Sequence, residues 1–168
     1  MIATVDVIND SEYPQIPEPA LLSRWCDVAL QCLDEAGLAR TDKPVTLGVR
    51  IVDEETAAKL NQQYRHKRYA TNVLSFTSEL PAFIASELEE LPLGDLVVCA
   101  GVVEREAHDQ AKLLPDHWAH MLVHGILHLH GLDHESDDEA EAMENLEIRI
   151  LAHLGINNPY IDRSSAEA

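Results

Sequence analysis

The stretch MLVHGILHLHGLDHESDD, Met121–Asp138, places four histidines (His124, His128, His130 and His134) around a glycine at Gly131. In an α-helix, residues four apart lie on one face with about 6 Å of rise between them. His124 and His128 form such a pair, and both rings can reach one ion at the roughly 2.0–2.1 Å of a zinc–nitrogen bond. Gly131 stands where that helix should stop, because glycine readily adopts the left-handed conformation that ends a helix. The reversed chain can then carry His134 back over the same face as a third ligand. Three nitrogens leave one position for water, the pattern of catalytic zinc, whereas structural zinc is usually closed by four protein ligands. The expected site is therefore one Zn(2+) ion per chain on His124, His128 and His134. A His120–His124 pair would lie one turn further from Gly131, so it is the poorer register. His117, His120, His130 and His153 are read as surface, core or supporting residues.

The pattern H-x3-H-x2-G-x2-H coincides with the metzincin peptidase spacing, except that Gly125 stands in place of the catalytic glutamate. In the peptidases that glutamate takes a proton from water at the metal, and Gly125 cannot. A mid-helix glycine also costs about 1 kcal/mol relative to alanine. Close packing against a neighbouring element would explain it, and so would room for a substrate beside the metal. The sequence leaves both open. Zinc itself can bring the pKa of its water toward about 7, so a hydrolase of this shape need not carry the carboxylate. What remains is to neutralise charge developing on the substrate. A phosphodiester transition state is anionic, and the planar guanidinium fork suits phosphate oxygens. Arg65, in the basic cluster YRHKR (Tyr64–Arg68), is the candidate catalytic residue for that role. The competing reading is an exposed arginine at a helix end, bonded to the last carbonyls.

Around this segment the chain has the bulk properties of one ordinary globular domain: 168 residues, 46% apolar and 25% charged. No apolar run approaches the roughly 18 residues of a membrane span. The N-terminal MIATVDVINDSEYP has acids where a secretory signal would be basic, which points to a cytoplasmic protein. Cys26, Cys32 and Cys99 form no CxxC pair and read as buried small apolar residues. The net charge of -18 argues against a broad, nonspecific surface for coating RNA. It does not exclude a narrow basic cleft, because Arg65, Lys67 and Arg68 sit together. Eight acids fall between Asp133 and Glu147 with no Lys or Arg among them, and they read as a solvated helix face.

Apolar periodicity places strands at Ala3–Ile8, Val45–Val52, Thr71–Phe76 and Asp95–Cys99. Helices are expected at Ala20–Gly37, at Glu54–Tyr64 after a capping Asp53, at Val102–Leu114, from Pro115 to the Gly131 turn, and at Asp137–Gly155. Residues 78–94, with Pro81, Pro92 and Gly94, read as an acidic loop. Strands interleaved with helices, without a repeat or linker, give a single α/β or α+β domain over residues 1–168.

LNQQYRHKRYATNVLSF (Leu60–Phe76), LGDLVVC (Leu93–Cys99) and HWAHMLVHGILHLHGLDHESDDEAEAME (His117–Glu144) together resemble segments of the YbeY endoribonucleases, bacterial metal-dependent enzymes of rRNA maturation. The resemblance spans nearly the whole chain. The one departure is Ala70, where that family commonly has proline before the threonine. The resemblance implies an α+β fold with a four-stranded mixed sheet and a metzincin-like metal helix. It implies zinc ligands at His124, His128 and His134 and a functional arginine at Arg65. It further implies cleavage of single-stranded RNA in maturation of the small-subunit rRNA 3′ end and in ribosome quality control, with the small ribosomal subunit and its assembly factors as partners, and neither membrane nor DNA. Two rival readings stand beside it: another metzincin-like hydrolase such as a peptidase or amidase, and a non-catalytic assembly factor with a structural metal.

Overall fold

The computed structural model describes residues 3–65 and 71–161. His66, Lys67, Arg68 and Ala70 lie outside these residues. Strand β2 (Val45–Val52) is central, and its alternation shows why it folds as it does. Val45, Leu47, Val49 and Ile51 are buried on one face, while Thr46, Gly48 and Arg50 point to the other. The sheet runs β1-β2-β4-β3, so the strands flanking the site come from distant parts of the sequence. β1 (Ala3–Asn9) pairs parallel with β2, and β2 pairs parallel with β4 (Leu91–Cys99). The short β3 (Val73–Thr77) closes one edge, antiparallel to β4 in the register Val73↔Val98 to Thr77↔Gly94. The expected four-stranded mixed sheet in a single α+β domain is what forms.

Helices α1 (Pro19–Glu35) and α5 (Leu114–Leu129) pack on one face of this sheet, and α6 (Asp137–His153) packs on both of them. Trp25, Leu30, Leu96, Trp118, Leu122 and Ile150 are among the buried side chains of that core. The opposite face is partly covered by α2 (Glu54–Arg65), through a smaller apolar cluster that includes Val52, Ala57, Leu74, Val97 and Cys99. α4 (Ala100–Asp109) follows β4 directly and touches both α5 and α2. All three cysteines are free and buried, as their apolar reading requires. Burial pushes each thiol up from its ordinary range. No helix among the described residues is long and apolar enough to cross a membrane.

Among the differences from the sequence reading, three have a local reason. β4 begins at Leu91 rather than Asp95, because Pro92 and Gly94 fall at the start of the strand beside a register shift between Thr46 and Leu47. The acidic loop contains a one-turn helix, α3 (Ala82–Ala85), whose terminal carbonyls are collected by Lys43: its Nζ donates to Ala85, Ser86 and Leu88 oxygens at 3.1, 3.1 and 2.9 Å. α4 stops at Asp109 because Ala111 takes φ 54 and Lys112 N–H returns to the Ala107 carbonyl, a left-handed stop without glycine.

Candidate metal centre

Helix α5 is built as its sequence dictates. Pro115 lies in the first turn, where its missing N–H costs nothing, and Asp116 meets the positive end of the dipole. The far end closes at Gly131 with φ 90, Gly131 N–H bonding the His128 carbonyl and Leu132 N–H the Leu127 carbonyl. That stop turns the chain back across the helix and carries His134 toward His124 and His128. One ring nitrogen from each of the three histidines then lies within 4.8 Å of the others. The Nε2 atoms of His124 and His128 are 3.0 Å apart. A tetrahedral zinc ion with bonds of 2.0–2.1 Å asks for roughly 3.3 Å between its nitrogens, so the helical pair is already near that spacing. His134 is exposed on the loop, where a small ring movement meets no packed core. The donor set fits a borderline-soft divalent cation.

The Gly125 position faces strand β4. A Cβ built there would stand 2.7 Å from Leu96 Cδ2 and 3.1 Å from Cδ1, so the glycine lets α5 lie close on β4. Ser75 Oγ of β3 donates to the Gly125 carbonyl at 3.3 Å. Close packing against Leu96 is therefore the reason for the glycine.

Glu147 was missed by the sequence reading, which placed it in the solvated acidic run. Its neighbours are solvated as expected, with Asp137, Asp138 and Glu139 exposed in the first turn of α6, and Ser136 Oγ caps the helix by accepting the Glu139 N–H at 3.1 Å. Glu147 instead is 1% exposed. Its Oε1 is 2.7 Å from His124 Nδ1, its Oε2 is 2.9 Å from His120 Nε2, and Tyr160 donates its hydroxyl to Oε2. Burial alone would raise this carboxyl's pKa, but the bonds from His120 and His124, His124's charge and the Tyr160 bond outweigh it and hold it down to about 2. The signal was present in the sequence: Glu147 stands four residues from both Met143 and Leu151, on the apolar stripe of α6.

Burial, followed by repulsion from His124 and His134, lowers the pKa of His128 and so favours the neutral, ligating form. His120 is buried against Glu147 and takes no part in the cluster of three. His117 is buried and bonded to Glu106 at 3.1 Å, and His130 Nδ1 accepts the Arg40 N–H at 3.3 Å. Arg65 is exposed in the last turn of α2, so it belongs to the layer opposite α5. The edge strand β3 lies between: Ser75 meets Gly125 on one side, and Phe76 meets Tyr64, the neighbour of Arg65, ring to ring at 5.1 Å on the other.

The sequence profile of the family described as endoribonuclease YbeY matches residues 7–155. Proteins named endoribonuclease YbeY are 51% identical over 147 residues in Pseudomonas putida F1, covering 87% of this chain and 86% of the relative. The one from Alkalilimnicola ehrlichii is 52% identical over 145 residues, covering 86% and 82%. That from Xanthomonas euvesicatoria is 51% identical over 159 residues and covers 93% of each. The solution structure of a Thermotoga maritima protein shares the fold, with a TM-score of 0.54, 22% identity and coverage of 90% of this chain and 91% of its own. A profile match across most of the sheet, α5 and α6, together with relatives at this identity over most of their length, places the chain in the endoribonuclease YbeY family.

Proposed function

We propose that this protein is a metal-dependent endoribonuclease that cleaves single-stranded RNA, acting in maturation of the small-subunit rRNA 3′ end and in ribosome quality control. His124, His128 and His134 would hold one Zn(2+) ion, and Arg65 would act on the scissile phosphate. The observation that carries the reading is the meeting of three imidazole nitrogens at the exposed end of α5, in a chain with family membership and no carboxylate at position 125. A zinc ion there would supply Lewis acidity, polarising a phosphoryl oxygen and making water a competent nucleophile near neutral pH. The chain's own part is placement. His124 and His128 present their nitrogens from a rigid helix, and the Gly131 turn brings the third. Arg65, across the edge strand, would offer a bidentate fork to the non-bridging oxygens as charge builds on them. Ribosome association follows from the family's biology alone.

The test is cleavage of single-stranded RNA by the zinc-loaded protein, with bound zinc and thermal unfolding measured on every variant. His124→Ala, His128→Ala and His134→Ala should each lose zinc and cleavage. Arg65→Ala should keep zinc and melting temperature and cleave roughly 10²–10³-fold more slowly, the usual scale for one electrostatic donor. Full zinc occupancy in His134→Ala removes it from the ligand set. Early unfolding of Arg65→Ala makes the arginine structural. Equal cleavage of single-stranded DNA counts against RNA-specific chemistry at the 2′-OH, and hydrolysis of peptides instead of RNA hands the site to the peptidase rival.

A further inference from the structure

The buried carboxylate on α6 has a task that the three histidines do not explain. We propose that Glu147 is a positioning residue of the metal centre: anchored by Tyr160 and His120, it holds His124 with its proton on Nδ1, so that Nε2 is bare and aimed at His128 and His134. This rests on the metal-centre reading above and adds to it which residues make the site ready.

The contacts of Glu147 fix where one proton on each of its partners must lie. An ionised carboxylate only accepts, so each partner of Glu147 must donate. His124 therefore carries its proton on Nδ1, the nitrogen 2.7 Å from Oε1. That leaves the Nε2 lone pair on the side where His128 Nε2 lies 3.0 Å away. His120 donates through Nε2 at 2.9 Å, and its Nδ1 is a buried nitrogen without a hydrogen-bond partner. As a bare lone pair, that nitrogen leaves no buried N–H without an acceptor. Tyr160 supplies the third proton from its hydroxyl.

The carboxylate also needs a reason to be ionised inside the core. Its partners are two imidazoles and a phenol, and among the described residues no Lys or Arg pairs with it. A buried anion is costly unless positive charge sits nearby. The other side of the His124 ring is where a cation would sit. Imidazoles that bind metals usually donate their second N–H to a carboxylate or carbonyl, which fixes the ring and raises its basicity. Tyr160 makes this arrangement depend on the chain beyond α6. It lies in the turn after Asn158, whose Oδ1 accepts the Tyr160 N–H at 2.9 Å, and it touches the His120 ring at 5.4 Å between centroids. Docking of this terminal turn thereby becomes a condition for a well-ordered first ligand.

The experiment uses the full-length chain and two readouts that do not depend on activity. Long-range ¹H–¹⁵N NMR of the metal-free protein reports which nitrogen of each histidine is protonated, and competition with a zinc chelator gives the affinity. Wild type should show His124 as the Nδ1–H tautomer. Glu147→Gln can donate as well as accept, so it should mix the His124 tautomers and weaken zinc roughly 10–100-fold, the usual scale for a lost outer partner. Tyr160→Phe removes one anchor from outside the core. It should fold normally and weaken zinc several-fold, which keeps the test decisive if Glu147→Gln does not fold. Glu147→Asp keeps the charge and should recover part of the affinity lost in Glu147→Gln. An Nε2–H tautomer at His124 in wild type overturns the proposal. So does zinc affinity within twofold of wild type in Tyr160→Phe together with a folded Glu147→Gln. Failure of the wild type to cleave RNA would sink the nuclease reading while leaving the tautomer and affinity results standing.

Discussion

Replacing Gly125 by alanine tests whether the glycine in α5 is a packing device. The new methyl would begin 2.7 Å from Leu96 Cδ2, 3.1 Å from Cδ1 and 3.4 Å from Cγ. Carbon atoms prefer about 3.5–4.0 Å, so Leu96 must retreat by close to 1 Å. It is 0% exposed in the middle of β4, with close-packed neighbours on the α5 side of the sheet. Overpacking of this kind costs about 1–3 kcal/mol. Against it stands the gain of about 1 kcal/mol from removing glycine from a helix interior. The balance is a net loss of about 1 kcal/mol, or a fall in Tm of about 2–4 °C for a chain of this size. Urea unfolding of the metal-free protein measures it without interference from zinc linkage. Leu96→Val shortens the obstructing side chain, so the double variant should lose less than the sum of the single losses. A Gly125→Ala protein more stable than wild type by about 1 kcal/mol would mean that nothing presses on this position. Gly125→Glu, which restores the peptidase pattern in sequence, should lose stability and gain no proteolysis, because that carboxylate would drive into the sheet.

Two further outcomes are expected. Burial would raise the Glu106 pKa, but bonds from His117 and Asn72 lower it overall, so its contribution to stability is present above the unfolded value near 4.5 and is lost as pH falls below it. Glu106→Gln should therefore flatten the loss of stability in that acid window, measured by urea unfolding across pH, and an unchanged profile would show that the carboxylate is not coupled to folding. RNA cleavage should weaken only shallowly with salt, because a chain of net charge -18 can neutralise few phosphates, and a log–log slope typical of 6–10 phosphate contacts would contradict a narrow site.

The parts of the fold that were legible were those where side chain and backbone pointed the same way. β2 could be read because Val45, Leu47, Val49 and Ile51 alternate without interruption. The limits of α5 could be read because Pro115 and Gly131 are punctuation marks with a stereochemical cause. The three-histidine cluster could be read because the helical pair and the glycine turn are both local. What escaped depended on distant residues. The early start of β4 relies on pairing with β2 across Pro92, against local preference. α3 relies on Lys43 from a remote loop collecting its carbonyls. Glu147 escaped for a different reason. Composition assigned the acidic run to solvent as a block, whereas the helical period separates Glu147 from Asp137, Asp138 and Glu139 by face.

The same separation by face bears on how an acidic protein meets an anionic substrate. Asp133, Glu135, Asp137 and Asp138 flank His134 and are exposed, so their field favours a cation at the histidines and opposes a phosphate arriving from the α6 side. Screening limits that field to roughly 8–10 Å at physiological salt, so it acts on the immediate approach and not on the whole surface. Arg65 stands on the opposite layer, at the end of α2, where the described residues of that helix's last turn carry no acid. Between the two lies β3, a single edge strand with the Gly125 contact on one face and the Tyr64–Phe76 pair on the other. On the nuclease reading proposed above, RNA would approach over the β3 edge, with the α6 acids on the far side of the histidines from Arg65. Charge would then be divided by function: acids gather the ion, one basic edge admits the phosphate, and the large negative total keeps nucleic acid from binding anywhere else.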